Sequence, residues 1–169
     1  ITGLTAYAVY QLAQRDGGLQ AVDEAGLTTE LNLAQTLEGV TVTIQRAYAD
    51  STRVAVWFTI DGMEFPEGVL LEMFFEAVLG YANGDIFPLT GQSMQMEYSP
   101  TIQGYIMTVQ HDEPIPADNL YPLRLVVRPT PRGARFQPVM GDPFMVNLPA
   151  EFDFEFALPV RQPVVIEPA

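Results

Sequence analysis

His111, the one histidine of the chain, is followed directly by Asp112 and Glu113. Imidazole titrates near neutrality and binds metals through its ring nitrogens, so the trio could ligate a cation or hold a proton-transfer group. Pro114 and Pro116 follow at once, which marks a strand end opening into a loop, and the trio reads as a surface turn. A serine, histidine and acid triad would need His111, yet Ser51, Ser93 and Ser99 lack the glycine-flanked elbow of a hydrolase nucleophile. Glu151, Asp153 and Glu155 recur on one face of a strand and could offer oxygens to a hard cation. No glycine-turned ligand loop accompanies them, and they read as a solvated strand face. No pair of acids stands out for glycoside cleavage. Arg124, Arg128, Arg132 and Arg135 hold half of the eight basic residues. They could receive an anionic ligand or partner, but read more simply as charge partners for the surrounding acids. Trp57, the single tryptophan, could stack on a sugar ring if exposed; in a sheet it reads as core, with its N–H satisfied. These residues lead to no catalytic, cofactor-binding or metal-binding assignment.

The elements that would position such residues are strands. Val40, Val42 and Ile44 alternate with Thr41, Thr43 and Gln45; after Ala49-Asp50-Ser51-Thr52, Val54, Val56, Phe58 and Ile60 alternate with Ala55, Trp57 and Thr59. A period of two in β-branched and aromatic residues predicts strands with one buried face, and the short polar link predicts an antiparallel hairpin across Val40 to Gly62. Before it, Leu19 to Ala25 could form a short helix stopped at Gly26, and Leu31, Leu33 and Leu37 an edge strand. Val69 to Leu79 fits both a helical stripe and an alternation, and is read as a strand. Asn83-Gly84-Asp85 is then a hairpin signal leading into Ile86-Phe87. Met94, Met96 and Tyr98 predict a strand that turns near Ser99-Pro100 into Gly104 to Gln110, where Tyr105, Met107 and Val109 share a face. Pro114-Ile115-Pro116 interrupts the pattern. Leu123, Leu125 and Val127 oppose Arg124, Val126 and Arg128, Pro129 to Pro143 reads as a long loop, and Phe152, Phe154, Phe156 and Leu158 form the last plain strand. Val164-Val165-Ile166 could add a final edge strand. Seven to nine strands at this spacing suit two antiparallel sheets sharing a core.

Composition bounds the setting. The chain has 169 residues, 14 prolines and 13 glycines, which suits one domain with many turns. A formal charge of −13 argues against binding nucleic acid or an anionic bilayer by bulk electrostatics. Cysteine is absent, which excludes disulfides and thiolate metal sites. The first residue is Ile, which suggests a fragment or a processed chain. No run approaches the roughly twenty apolar residues of a membrane span. Within residues 1–14, Ala6, Val9, Tyr10 and Ala13 fall near helical spacing. They fit either an amphipathic helix packed on the domain or the outer end of a transmembrane helix, with Tyr7 and Tyr10 at the interface.

Glu24-Ala25-Gly26-Leu27, Leu31-Asn32, Gly39-Val40-Thr41-Val42-Thr43-Ile44, Tyr48-Ala49-Asp50 and Arg53-Val54-Ala55-Val56 form an ordered pattern. It resembles a bacterial domain family of unknown function that follows the transmembrane helix of membrane-anchored, anti-sigma-factor-like proteins. The likeness covers about residues 20 to 62, and Phe152 to Leu158 is similar to the family's closing strand. The resemblance implies an immunoglobulin-like sandwich outside the cytoplasmic membrane, and it favours the transmembrane reading of residues 1–10. It carries over no catalytic residues; Val40, Val42 and Ile44 match core positions and Asp50 a turn position.

The expected architecture is therefore an all-β, two-sheet antiparallel sandwich, immunoglobulin-like, over residues 28–160. A helical lead-in over 1–27 precedes it, and a tail or edge strand over 161–169 follows. The expected function is that of a non-enzymatic extracytoplasmic sensory or interaction domain of a membrane-anchored, anti-sigma-like regulator. Its partner would be an unidentified extracytoplasmic protein or small ligand, with a sigma factor bound only by a cytoplasmic segment outside this chain. No cofactor and no nucleic acid are expected, and a membrane tether is expected upstream of Ile1. The alternative is a cell-surface adhesion or carbohydrate-binding module with Trp57 in an exposed aromatic platform.

Overall fold

The protein is known as a computed structural model, which describes residues 16–62, 75–85, 92–98, 102–111, 114–117, 119–129, 135–136, 144–145 and 151–164. Among these residues, the helix α1 (Gly17–Glu24) precedes the strands β1 (Thr29–Leu37), β2 (Val40–Ala49), β3 (Arg53–Asp61), β4 (Phe75–Tyr81), β5 (Gln92–Tyr98) and β6 (Ile102–Gln110). After these come β7 (Leu120–Pro129), β8 (Arg135–Phe136), β9 (Phe144–Met145) and β10 (Phe152–Pro159). Two antiparallel sheets form the sandwich: five strands in the order β1-β2-β3-β6-β5, and three in the order β10-β7-β4. The expected helix, edge strand, central hairpin and closing strand are all present. The sequence reading of residues 1–15 and of Ile86-Phe87 falls outside the described residues.

The alternation builds the core as expected. Val54, Val56, Phe58 and Ile60 face Leu79, Leu123, Leu125, Val127, Phe152, Phe154 and Leu158 across the two sheets, all of them buried. Phe58 stacks on its cross-strand partner Tyr105, with ring centroids 5.0 Å apart and planes 12° apart. The β1–β2 turn is made by Glu38 and Gly39, both at positive φ (50° and 83°), the mirror-image geometry that matches strand twist. Gly62 is held at φ 91°, and a Cβ there would lie 2.2 Å from the Gly39 carbonyl oxygen. Only glycine fits that approach.

Four expectations need correction. β3 is buried on both faces over Val54 to Ile60, because a second layer covers the side expected to meet solvent. The alternation of β2 breaks at Gln45: Ile44 pairs with Phe58 and Arg46 with Trp57, so Gln45 is a bulge residue without a partner in the ladder. The Asn83-Gly84 turn forms, with Gly84 N–H donating to Tyr81 O at 2.9 Å, but it does not join β4 and β5 as partners. β4 pairs with β7, whereas β5 pairs with β6 in the other sheet. The loop read over Pro129 to Pro143 contains β8, which pairs with β9, and the described strands number ten.

Candidate functional site

The outer face of the three-stranded sheet brings together two sequence features 29 residues apart. Inward residues of β7 and β10 alternate with Arg124, Val126, Arg128 and with Asp153, Glu155, which therefore share the outer face. Arg124 grips Asp153 with two nitrogens, Nε donating to Oδ1 at 2.7 Å and Nη2 to Oδ2. Arg128 Nε donates to Glu76 Oε2 at 2.9 Å across the β4–β7 ladder. The hydrogen-bonded Arg124 beside it holds the Asp153 carboxyl below the usual carboxylate range. Arg124 is itself pushed up, first by its hydrogen bond to Asp153 and then by its charge, with smaller contributions from Glu155 and Glu151.

Between these pairs lies a hollow of about 160 Å³ with Val78 and Val126 on its floor. Gly80, opposite Arg124 in the ladder, contributes no side chain, and Asp85 and Glu151 stand at the rim. Two guanidiniums are thus fixed in orientation by carboxylates, as fits a surface that presents a constant pattern of donors. The charge-partner reading of Arg124 and Arg128 holds. The side chains of Arg132 and Arg135 lie outside the described residues. Of the acids read as a solvated face, Glu151 and Glu155 are exposed, whereas Asp153 is engaged. Among the described residues no three His, Cys, Asp or Glu side chains come together as a metal site.

The outer face of the five-stranded sheet is built differently. The Gln45 bulge shifts the phase of β2, turning Ala47 and Ala49 into the core and Arg46 and Tyr48 outward. There Tyr48, Ala55, Trp57 and Ile106 form a second buried cluster, covered by Leu19 and Val22 of α1. Burial of those two helix side chains contributes roughly 1.5–3 kcal/mol each. Asp16 caps α1, accepting from Gly18 N at 2.9 Å and Leu19 N at 3.1 Å, and also lies 4.0 Å from Arg53. Near the helix's other end Asp23 accepts from Arg46 Nη1, and that guanidinium lies 5.4 Å from the Trp57 ring centre. Gly18 gives Arg53 its room: a Cβ at Gly18 would lie 3.0 Å from Arg53 Nη2.

Trp57 has no exposed surface, so it presents no stacking face to a sugar. The expectation of a satisfied N–H is not met: Nε1 is buried without a hydrogen-bond partner among the described residues.

Asp50 ties the end of this sheet. Only 3% exposed, it accepts from Thr52 N and Thr52 Oγ1 at 2.8 Å, Arg53 N at 2.9 Å and Tyr48 Oη at 2.9 Å. Burial raises the cost of its charge, but these hydrogen bonds outweigh that and hold the carboxyl below its ordinary range. Burial, and then the bond to Asp50, push the Tyr48 hydroxyl upward. The family resemblance marked Asp50 as a turn residue; no sequence signal gave its partners. Nearby, His111 stands half-buried just past the end of β6, its ring edge-on to Tyr121 at 5.7 Å and its backbone N–H donating to Thr52 O at 2.7 Å. Asp112, Glu113 and Ser99 lie outside the described residues, Ser93 lies on β5 and Ser51 in the Asp50 turn. Tyr121 is pushed up by burial and then by its hydrogen bond to Tyr81.

No protein-family model matches the chain, and no curated protein matches it. Among solved structures it is similar to "The crystal structure of the conserved domain protein from Bacillus anthracis", with a TM-score of 0.51 at 15% identity. The match covers 80% of this chain and 42% of that one, so the chain spans less than half the length of its structural neighbour. At that identity the likeness is one of fold.

Proposed function

We propose that this chain is a non-enzymatic interaction domain, an immunoglobulin-like sandwich outside the cytoplasmic membrane in a tethered, anti-sigma-like regulator. The strand order supports the fold type: β2-β3-β6-β5 facing β10-β7-β4 corresponds to the A-B-E-D and G-F-C order of immunoglobulin constant-type domains, with β1 as an added edge strand. One observation carries the interaction reading. Arg124 is paired through two nitrogens with Asp153 and Arg128 through one with Glu76, beside a small hollow lined in part by Val78 and Val126, and these oriented donors support recognition. The tether rests on the family resemblance.

No helix among the described residues is long and apolar enough to cross a membrane. The test is the gene upstream of the Ile1 codon. On the order of twenty apolar residues running into Ile1, preceded by a small cytoplasmic domain, is the expected result. A cleavable signal peptide or another sandwich module there would overturn the tethered reading.

A further inference from the structure

We infer that α1 is a latch: it leaves the five-stranded sheet as a unit, exposing Tyr48, Ala55, Trp57 and Ile106, while the core between the sheets stays folded. The inference concerns the sandwich alone and stands whether or not the chain is tethered to a membrane. Four observations lead to it.

First, the cluster beneath α1 and the inter-sheet core share no residue; the backbone of the five-stranded sheet lies between them. Removing the helix therefore opens one layer, against which only Leu27 and Val164 stay packed among the described residues, and leaves the other intact. Second, α1 is eight residues long and buries only Leu19 and Val22, so it is too short to persist off the sheet and is held by little on it. Gly17 and Gly18 begin it, and Gly26 at φ 65° follows it, giving the backbone freedom at both ends.

Third, the seam contains buried polar atoms that lack hydrogen-bond partners among the described residues: Trp57 Nε1, Arg46 Nε and, in the adjoining bulge, Gln45 Nε2. Trp57 Nε1 and Arg46 Nε, at the seam itself, regain water on opening, which offsets part of the cost of exposing the apolar cluster. Fourth, the two fastenings differ from the knot beneath them. Asp16–Arg53 and Asp23–Arg46 are partly exposed pairs that water and salt reach. Asp50, by contrast, holds Tyr48, Thr52 and Arg53 through bonds wholly within the β2–β3 hairpin. The face beneath the helix is thus fixed by its own sheet and survives the helix's departure. Opening is a sub-global event of the kind that ranges far below the free energy of global unfolding.

Native-state hydrogen exchange on the full chain tests this. The amides of Gln20 and Ala25, bonded to Asp16 O and Ala21 O, should exchange together with the indole N–H of Trp57. All three should do so on the order of a hundredfold faster than the slowest amides of the β3–β6 ladder. Leu19→Ala should speed the helix amides and the indole by at least about tenfold and leave the ladder unchanged. Exchange of the helix amides and indole at the ladder's rate would overturn the latch, because α1 would then open only with the whole domain. So would acceleration of the ladder and the helix to the same extent in Leu19→Ala.

Discussion

The two outer faces of this sandwich use the same pair of residue types to opposite ends. On the five-stranded sheet, Arg46 and Arg53 reach Asp23 and Asp16 on a helix, and between the two ion pairs lies an apolar cluster that excludes water. On the three-stranded sheet, Arg124 and Arg128 reach Asp153 and Glu76 on neighbouring strands, and between them lies a hollow. Asp23 and Arg46 are 17% and 18% exposed, whereas Asp153 and Arg124 are 38% and 33% exposed. An ion pair takes its energetic meaning from what surrounds it: beside a buried ring it fastens one layer to another, and beside water it chiefly fixes orientation. The first face is held by burial with charge at its margins, and the second displays charge over a thin apolar floor.

The largest contrast should come from the residues at the centre of each face. Trp57→Ala removes a fully buried ring and should cost about 3–5 kcal/mol in urea unfolding. Val126→Ala, half-buried on the other face, should cost well under about 1.5 kcal/mol. Comparable losses would mean that the hollow's floor is as much a part of the core as the tryptophan.

The paired aspartates sharpen the comparison. Asp50→Ala strands the buried Tyr48 hydroxyl and the part-buried Thr52 and Arg53 amides, and should cost roughly 3 kcal/mol at pH 7. Asp153→Ala should shift the urea midpoint far less. Because the folded-state value of Asp50 is depressed, its contribution is complete above the unfolded value near pH ~4 and is lost as pH falls through the folded value. The gap between wild type and Asp50→Ala should therefore close on acidification below about pH 4.

Alkali acts through the hydroxyls. Tyr48 and Tyr121 are raised, so they stabilise the fold fully below the unfolded tyrosine value near pH ~10, and that stability is lost as pH rises beyond it. Tyrosinate absorbance should develop in two stages, the second coinciding with loss of β-sheet circular dichroism. A single early stage covering all seven tyrosines would contradict the burial of these two.

The smallest effects separate the faces by salt. Arg46→Met keeps much of the packing against Trp57 but frees Asp23, and should cost about 1 kcal/mol at low salt, less at high salt. Arg124→Met should leave the unfolding midpoint unchanged. An equal loss in both variants would erase the distinction drawn between fastening and display.

Local patterning let the sequence by itself determine the longer strands, the inward sets Val54-Val56-Phe58-Ile60 and Leu123-Leu125-Val127, and the short helix with its glycine stop, while the general habit of tryptophan pointed to burial of Trp57. Those features are local: one alternation specifies both a strand and the side it buries. Only the tertiary structure decided that β3 is covered on both sides, that Gln45 reverses the phase of β2, and that β4 and β5 part into different sheets. It also decided that Arg124 meets Asp153 across 29 positions and Arg46 meets Asp23 across 23. The physical reason is that alternation states which residues avoid water without naming what excludes it. Charge partners, likewise, are chosen by the register of strands and the seating of a helix, which no short stretch of chain encodes.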